Sequence, residues 1–414
     1  MSTEVPFFQP DIGELEIREV AETLRSGWLT TGPRVRRFER EFAAAVGAQS
    51  AVAVNSCTGA LHLALESLAL KPGQGVLVPT MTFAATAEVV RYLGGVPILV
   101  DCDADTAHMD LSDAAAKSGK GLDRLLPAQV SNVTDVVGMM PVHVGGLMMN
   151  MAAVKTFAER RSLWVVEDAA HAFPAAWRER PDRPWQRCGE DTADVTCFSF
   201  YANKTITTGE GGMAVTGDPN LAERIRQMSL HGLSRGAWDR YSAAGEWDYL
   251  IEGVGFKYNL TDVAAAIGLH QLARAEEMRR HRERIARRYT EELAGLEEIE
   301  LPPDVADRIH AWHLFAIRLN LERLRISRND FIIQLRQAGV ASSVHWRPLH
   351  LHPYYHETFG YRPEHCPTAS ALFERLVSLP IGSKMTDEQI QHVIDSVYKI
   401  VERHSSSVRR ARRA

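Results

Sequence analysis

One lysine of this 414-residue chain, Lys204, directly follows an apolar strand, and the residues around it favour a chemical role. Lys204 stands in FSFYANKTITTGEGG, after the apolar run TCFSFY and before glycines that allow tight backbone turns close to a ligand. A lysine at the edge of a core has a desolvated ammonium and a lowered pKa, which suits an amine that forms a Schiff base. Most lysines are solvated surface charges, so this interpretation of Lys204 depends on suitable partner residues.

A carboxylate is expected at the same edge of the predicted sheet. Asp168 ends the strand LWVVE and begins the segment DAAHAF. Pyridoxal chemistry needs a carboxylate against the pyridinium nitrogen, because the protonated ring is the electron sink that stabilises a carbanion. Without partner motifs, a helix cap or an ion pair is the commoner role of an aspartate at such a junction.

A third segment suits a phosphate. NSCTGALHLALESL places small residues and hydroxyls directly before a helix, where backbone N–H groups and the positive helix end face an anion. The alternative is a plain helix cap by Ser56 or Thr58, and the full phosphate-loop motif is absent. Phe83 in TMTFAATAE is placed to stack on an aromatic ring, although a single phenylalanine after a strand is more often part of the core.

The elements that would position these residues follow an alternating pattern. Between Ala51 and about Val215, short β-branched runs alternate with amphipathic helical segments, which predicts a mostly parallel sheet covered on both faces. In such sheets, ligands lie outside the carboxyl ends of the strands. The loops 55–59, 80–83, 168–171 and 199–204 therefore become the candidates for chemistry.

The second half of the chain predicts a smaller α+β domain. A long Arg- and Glu-rich helical pattern runs from Ala264 to about Leu296. Predicted strands and helices then alternate: the strand HLFAIRLN, a helix from Arg328 to Gln337, the strand VASSVHW, and helices near Ala369 and Asp387. We therefore expect a large cofactor-binding domain that includes the N-terminal segment, a small C-terminal domain and a basic flexible tail; their expected ranges are 1–275, 276–403 and 404–414.

Composition excludes several classes of protein. The longest apolar runs are too short to span a membrane, and the acidic N-terminus does not resemble a secretion signal, which favours a cytoplasmic location. The net charge of −5 does not indicate the basic surface that nucleic-acid-binding proteins carry. Five scattered cysteines without a C-x-x-C pair argue against a disulfide framework or a zinc cluster.

We also expect no metal site. Asp101, Asp103 and Asp105 mimic the start of a calcium loop, but Thr106 and Ser112 replace its glycine and its closing glutamate. The histidines of HWRPLHLH have no carboxylate or cysteine cluster nearby, so we favour substrate contact or packing for them; they are His345, His350 and His352.

Taken together, the segments resemble the DegT/DnrJ/StrS sugar aminotransferases, within the fold-type I, aspartate aminotransferase-like enzymes that use pyridoxal phosphate. The similarity runs in family order over nearly the whole chain, through SGWLTTGPRVRRFEREFA, NSCTGALHLAL, VPTMTFAATAEVV, PVHVGG, VVEDAAHAF, FSFYANKTITTGEGGMAVT, LHGLSR, GFKYNLTDVAAAIGLHQL and SLPIGSKMTDEQIQHVI. The resemblance implies a large domain with a mostly parallel, seven-stranded type of sheet and a smaller α+β domain.

The resemblance also assigns roles residue by residue. It implies that Lys204 carries the cofactor and moves protons between the cofactor and the substrate carbons, and that Asp168 is the partner of the pyridinium nitrogen. Relatives without this lysine perform dehydration, so its presence favours transamination. The other cofactor contacts that the resemblance implies are a stacking aromatic, a residue at the cofactor face or its phenolic oxygen, and a phosphate cradle: Phe83, His171, and Thr58, Gly59 and Ser199.

The resemblance further implies a homodimer with shared active sites, because Asn259 matches a residue that reaches the phosphate from the neighbouring subunit. Four residues lie on loops that approach the sugar nucleotide in this family: Trp28, Thr30, His231 and His345. The segments HGLSRGAWDRYS, GFKYNLTDVAAAIG and HAWHLFAIRLN look most like enzymes that act on UDP-linked 4-keto sugars, with L-glutamate as the expected amino donor. A pyridoxal-dependent dehydratase or lyase and a noncatalytic regulatory homologue remain the alternatives.

Overall fold

The structure is a computed structural model that describes residues 4–118, 126–130, 133–234 and 250–406. The last part of the expected basic tail, residues 407–414, and most of the segment HGLSRGAWDRYS lie outside the described residues.

A large mixed sheet forms the centre of the first part of the chain, as the alternating pattern predicts. Its spatial order is β1-β9-β8-β5-β4-β2-β3, and β9 alone runs against the direction of the other six strands described. The strands are β1 (Ser50–Val54), β2 (Gly75–Pro79), β3 (Val96–Val100), β4 (Val136–Met139), β5 (Trp164–Asp168), β8 (Val195–Ser199) and β9 (Gly212–Thr216).

Helices cover this sheet on both faces, because its strands are apolar on both sides. Every residue of β2 and β9 is buried. Polar side chains begin several of the helices: Ser56 caps α3 and Asn150 caps α6. The helices of this part of the chain are α1 (Glu14–Ser26), α2 (Pro33–Val46), α3 (Cys57–Ser67), α4 (Ala84–Tyr92), α5 (Leu111–Lys117), α6 (Met151–Glu159), α7 (Pro219–Met228) and α8 (Asp262–Ala273).

The long helix expected from residue 264 to about 296 is in fact two helices. After α8 the backbone leaves helical geometry at Arg274, with φ −104° and ψ 3°, and α9 (Ala275–Leu293) begins directly behind it. The side chain of Arg274 binds the Glu16 carboxylate at 2.7 Å and the Asp11 carbonyl at 2.8 Å. This contact fixes the break against the N-terminal segment. Sequence periodicity does not show such a break, because the helical pattern continues through it.

A second, smaller core lies beyond this break. It packs the apolar faces of α9, α10 (Arg328–Gln337) and α13 (Asp387–His404) against a three-stranded sheet in the order β10-β12-β13. These strands are β10 (Ile299–Glu300), β12 (Phe315–Leu319) and β13 (Leu376–Leu379). Val5 from the start of the chain is buried in the same core, where its N–H donates to the Gly339 carbonyl. The expected domain boundary at residues 275 and 276 stays a prediction.

The remaining elements are short. A third sheet joins β11 (Arg308–Ile309) to β6 (Ala176–Trp177) and β7 (Gln186–Arg187), and two helices complete the second half, α11 (Pro353–Phe359) and α12 (Pro367–Phe373). VASSVHW, which read as a strand, forms only isolated bridges from Val340 to Val5 and from Ser343 to Ser378. Among the described residues, no helix combines the length and the apolar content that crossing a bilayer requires.

Candidate active site

The predicted loops meet at a cavity of about 550 Å³ outside the carboxyl ends of the parallel strands. This site cavity brings together most of the predicted site residues, although they come from distant parts of the chain. Those that line it are Thr58, Phe83, Asp168, His171, Ser199, Lys204 and His345. Functional residues that were predicted on four separate loops therefore line one cavity.

Asp168 ends β5 as a buried carboxylate that faces the site cavity. Its Oδ2 accepts a hydrogen bond from the Thr86 hydroxyl at 2.7 Å, and its Oδ1 accepts one from the Ala170 N–H at 3.1 Å. The Thr86 hydroxyl is itself 2.7 Å from the Thr82 hydroxyl, so the carboxylate is held in one orientation. Within the described ranges no lysine or arginine forms an ion pair with it, so the cavity is where a cationic partner would lie.

Lys204 projects into the same cavity from the loop behind β8. Burial of its ammonium lowers the pKa of Lys204 to about 8, and the nearby Cys57 and Asp168 oppose this shift. Its Nζ lies 3.4 Å from Nε2 of His313. A substantial fraction of this amine is therefore neutral at mildly alkaline pH, as a nucleophile or a base requires.

Three neutral imidazoles surround the lysine. Burial holds the pKa of His171 and of His313 well below the ordinary range, and it lowers the pKa of His345 to about 4. The His171 ring packs 4.1 Å from the His313 ring and stacks on Trp346 at 5.1 Å, with an interplanar angle of 19°. Nδ1 of His171 is buried and has no hydrogen-bond partner among the described residues, which leaves it available to a bound group.

The start of α3 offers two unused backbone donors. Ser56 caps this helix, and its hydroxyl accepts the N–H of Gly59 at 3.0 Å. In the described part of the chain, neither the N–H of Cys57 nor that of Thr58 has an acceptor. Both residues line the site cavity, whereas Gly59 does not. Among the described residues, the N–H groups of this helix start that remain free to face an anion are therefore those of Cys57 and Thr58, because Ser56 accepts that of Gly59. The phosphate cradle of Thr58, Gly59 and Ser199 stays a prediction.

Phe83 is not a core residue in this chain. Its side chain is 64% exposed and lines the site cavity. An apolar ring held in the open at a cavity wall suits stacking on a flat ligand ring. The general tendency of a phenylalanine after a strand to be buried does not hold here.

Besides Gly59, four predicted residues do not line the site cavity of their own chain: Trp28, Thr30, His231 and Asn259. Asn259 instead donates from Nδ2 to the Thr31 hydroxyl at 2.8 Å, and the Trp28 indole donates to the Thr31 carbonyl at 3.0 Å. Thr31 borders a separate cavity of about 560 Å³ that contains the Glu39–Arg226 ion pair. In the part of the chain that the structure describes, these four residues therefore do not contribute to the site cavity of their own chain.

Sequence reasoning missed several residues of the site. His313, Trp346 and Tyr201 line the site cavity, and Thr86 fixes Asp168 from one turn inside α4. Trp346 directly follows the predicted His345, and Tyr201 lies shortly after the predicted Ser199, so proximity along the sequence could have indicated both residues. His313 lies more than a hundred residues beyond Lys204, so only the three-dimensional fold reveals their contact.

The residues of the cavity fit pyridoxal phosphate. A buried carboxylate without a cationic partner suits the pyridinium nitrogen, two free N–H groups at a helix start suit the phosphate, and Lys204 supplies an amine of lowered pKa. Strand β9 lies close to the start of α3, which narrows the end of the cavity where the phosphate would lie. A Cβ on Gly212 would come within 2.4 Å of the Ser56 carbonyl carbon and 2.5 Å of the Cys57 nitrogen.

A second buried group of potential ligands is formed by His143, Glu167 and Cys188. Nδ1 of His143 accepts the Met149 N–H at 3.2 Å, so the ring proton is on Nε2, which lies 3.5 Å from a carboxylate oxygen of Glu167. A metal-bound imidazole needs the opposite tautomer. Two threonine hydroxyls donate to the other oxygen of Glu167, so the geometry favours a hydrogen-bonded core cluster over a metal site.

Comparison with known proteins identifies the family. Residues 10–398 match the model of the DegT/DnrJ/EryC1/StrS aminotransferase family. The chain belongs to this family. The spore coat polysaccharide biosynthesis protein SpsC of Bacillus subtilis is 41% identical over 398 residues, which cover 96% of this chain and 97% of SpsC. The chain is therefore an enzyme of the aminotransferase class, as the sequence predicted.

Solved structures of this aminotransferase family agree with the fold and the cofactor. Spr1654 from Streptococcus pneumoniae, provisionally described as a sugar aminotransferase, is 31% identical in its PLP form, with a TM-score of 0.84 and coverage of 97% of this chain and 99% of Spr1654. DesV from S. venezuelae is 32% identical, with a TM-score of 0.80 and 94% of each chain covered. Spr1654 was also solved in its PMP form. Fold type I is confirmed, and pyridoxal phosphate is confirmed as the cofactor of the family.

Proposed function

We propose that this aminotransferase moves an amino group from L-glutamate to the keto group of a nucleotide-linked sugar, with a UDP-linked 4-keto sugar as the substrate class. The observation that carries the proposal is the meeting of Lys204, Asp168 and the free start of α3 in one cavity. The role of SpsC in polysaccharide biosynthesis and the description of Spr1654 support a sugar acceptor. The expected cytoplasmic location stays a prediction.

Each residue has a distinct task in this proposal. Pyridoxal phosphate, when bound, supplies an electron-accepting ring that carries the amine between the two substrates. Asp168 would hold the ring nitrogen, and Thr86 and Ala170 keep its carboxylate in place. The N–H groups of Cys57 and Thr58 would hold the phosphate at the positive end of α3.

Lys204 acts as the proton carrier of the reaction. With a pKa of about 8, its Nζ both accepts and returns a proton near neutral pH at little cost in free energy. The surrounding imidazoles are neutral, so none of them competes with Lys204 as a cation. Trp346 and the histidine rings line the cavity beside Lys204, and burial of the amine keeps its pKa in the range that proton transfer needs.

We further propose that two copies of the chain share their active sites. Asn259 would reach the phosphate of the neighbouring site, and Trp28, Thr30 and His231 would face the sugar nucleotide there. Their location outside the cavity of their own chain supports this arrangement. His345, which lines its own cavity, would contact the sugar from the same subunit.

The experiment that tests the function supplies glutamate and a panel of 3-keto and 4-keto sugar nucleotides to the purified enzyme. We expect 2-oxoglutarate and an amino sugar in equal amounts, identified by mass spectrometry and NMR. Lys204→Ala should abolish turnover and the lysine-dependent absorbance of the cofactor, whereas Lys155→Ala, at an exposed lysine outside the cavity, should keep both. Sugar dehydration without glutamate consumption, or an active Lys204→Ala variant, would contradict the proposal.

A further inference from the structure

The contact between Lys204 and His313 joins the two halves of the molecule at the proposed reacting amine. Lys204 follows β8 of the large sheet, and His313 precedes β12 of the smaller sheet. Their Nζ and Nε2 atoms are 3.4 Å apart. Both side chains line the site cavity, so this contact lies at the place where substrates must enter.

The imidazole of His313 is fixed by its surroundings. Its ring packs 4.1 Å from the His171 ring, and the N–H of the next residue, Leu314, donates to the Gly145 carbonyl at 3.1 Å. The neighbouring loop is tightly packed. A Cβ added to Gly146 would lie 2.7 Å from the His171 carbonyl oxygen and 3.3 Å from the backbone nitrogen of His313. These contacts fix the backbone that carries His313, and the His171 ring packs against its imidazole.

The protonation states determine the direction of the hydrogen bond. An ammonium on Lys204 has only N–H donors, so the nitrogen of His313 that faces it must be the acceptor. The ring is then the neutral tautomer that carries its proton on Nδ1. Nδ1 of His313 is buried and has no hydrogen-bond partner, so no other group in the described residues competes for the ring.

We propose that His313 is a positioning residue of this enzyme, whose Nε2 accepts an N–H of Lys204 and holds the amine in one orientation. This role rests on the proposed function, in which Lys204 moves protons. When the Lys204 ammonium gives one proton to a substrate carbon, an N–H that remains on Nζ stays bonded to His313. The lone pair left on Nζ then points away from the imidazole and into the cavity, where the next proton is collected.

The hydrogen bond also has a measurable effect on Lys204 itself. Accepting an N–H stabilises the ammonium and so partly opposes the burial that lowers its pKa. Groups on several other elements act on the same amine: Cys57 and Asp168 raise the pKa, and Arg282 lowers it. Variants that change only position 313 leave Cys57, Asp168 and Arg282 unchanged, so a change in the pKa of Lys204 reports on His313.

The test compares His313→Leu with His313→Gln in the full-length protein after removal of the cofactor. Trace acetylation at pH 6 to 10, read by mass spectrometry of the peptide that contains Lys204, gives the pKa of that amine, with the exposed Lys155 as an internal reference. We expect the Leu variant to lower the pKa by about one unit, because a hydrogen bond to a charged group is lost. The Gln variant keeps an acceptor near Nε2 and should retain the original value.

Kinetics of the cofactor-loaded enzyme provide the second measurement. We expect kcat for His313→Leu to fall about 10-fold with little change in KM, and His313→Gln to recover most of the loss. His350→Leu, which removes a buried imidazole bonded to Thr80 and Ser370 outside the cavity, controls for the loss of packing. The proposal is overturned if the Leu variant keeps the original pKa of Lys204, or if the Gln variant is as impaired as the Leu variant. Because labelling uses neither glutamate nor sugar, the measured pKa of Lys204 is independent of the proposed substrates, so its result separates a failure of this inference from a failure of the proposed function.

Discussion

At the scale of single residues, the site depends on a carboxylate and an amine that face one cavity from neighbouring strands. Asp168 and Lys204 follow β5 and β8, which pair in parallel, so their loops open at the same edge of the sheet. Two hydrogen bonds hold the carboxylate, and a neutral imidazole contacts the amine. The charge of Asp168 is the part of this arrangement that the cofactor would use.

Replacing Asp168 by asparagine tests that charge while it preserves shape. We expect amine transfer to fall roughly 100-fold or more, because losing the partner of a buried charge costs about 3–5 kcal/mol. Stopped-flow half-reactions and the cofactor absorbance would measure the loss. Asp101→Asn is the matched control, since Asp101 is a buried carboxylate bonded to the N–H groups of Thr368 and Ala369 outside the cavity. Equal turnover of the Asp168→Asn variant and the native enzyme would refute this role.

The sequence predicts Lys204 and Asp168 because local signals surround them, namely a buried strand before each one and glycines or a helix after it. His313 gives no such signal. Its segment reads as the approach to a strand, and only the docking of the smaller sheet brings it to Lys204. Thr86 is hidden for a related reason, because a threonine inside a helix does not show from sequence that it supports a carboxylate.

At the scale of elements, the start of α3 is the best-defined binding feature. Ser56 is extended, with φ −165° and ψ 158°, and leaves the first two N–H groups of the helix free. The chain already begins α2 and α7 with a proline, so it tolerates this residue at the first helical position. That tolerance allows one N–H to be removed without breaking the helix.

Comparing Cys57→Pro with Cys57→Ala isolates this single backbone donor. Both variants lose the thiol, but only the proline variant loses the N–H. We expect the proline variant to bind pyridoxal phosphate about 10-fold or more weakly than the alanine variant, since a hydrogen bond to a charged group contributes about 1.5–3 kcal/mol. Fluorescence titration of the cofactor would measure both affinities. If the two variants bind equally, the Cys57 amide does not contact the phosphate.

Most elements of the large sheet are predictable because parallel strands buried on both faces are continuously apolar and short helices separate them. The break at Arg274 is not predictable, because it arises from contacts of one side chain with Glu16 and Asp11 near the start of the chain. VASSVHW fails as a strand for a similar reason. Instead of pairing along its length with a strand of a sheet, it forms isolated bridges to Val5 and Ser378.

At the scale of the whole molecule, predicted site residues fall into two groups. One group lines the site cavity, and the other, which includes Asn259, lies away from it near the cavity that Thr31 borders. The proposed dimer accounts for both groups, because each chain would supply its lysine to one site and its asparagine to the other.

Mixing subunits tests this exchange. Lys204→Ala and Asn259→Ala chains should each be weakly active or inactive alone at limiting cofactor. After denaturation and joint refolding, half of the dimers would be hybrids, and one of the two sites in each hybrid would be complete. We therefore expect activity near a quarter of the native value, measured against each variant refolded alone. Activity equal to the average of the two parents would exclude a shared site.

The anchoring of the first residues has a practical consequence for work on this enzyme. Val5 is buried in the second core, and Phe7 stacks on His345 at 5.5 Å, directly beside a wall of the cavity. Purification handles fused ahead of these residues would therefore emerge next to the space that substrates occupy. The carboxyl end instead follows α13, and no residue of that helix lines the site cavity, which makes this end the safer position for labels, immobilisation and crystallographic fusion partners.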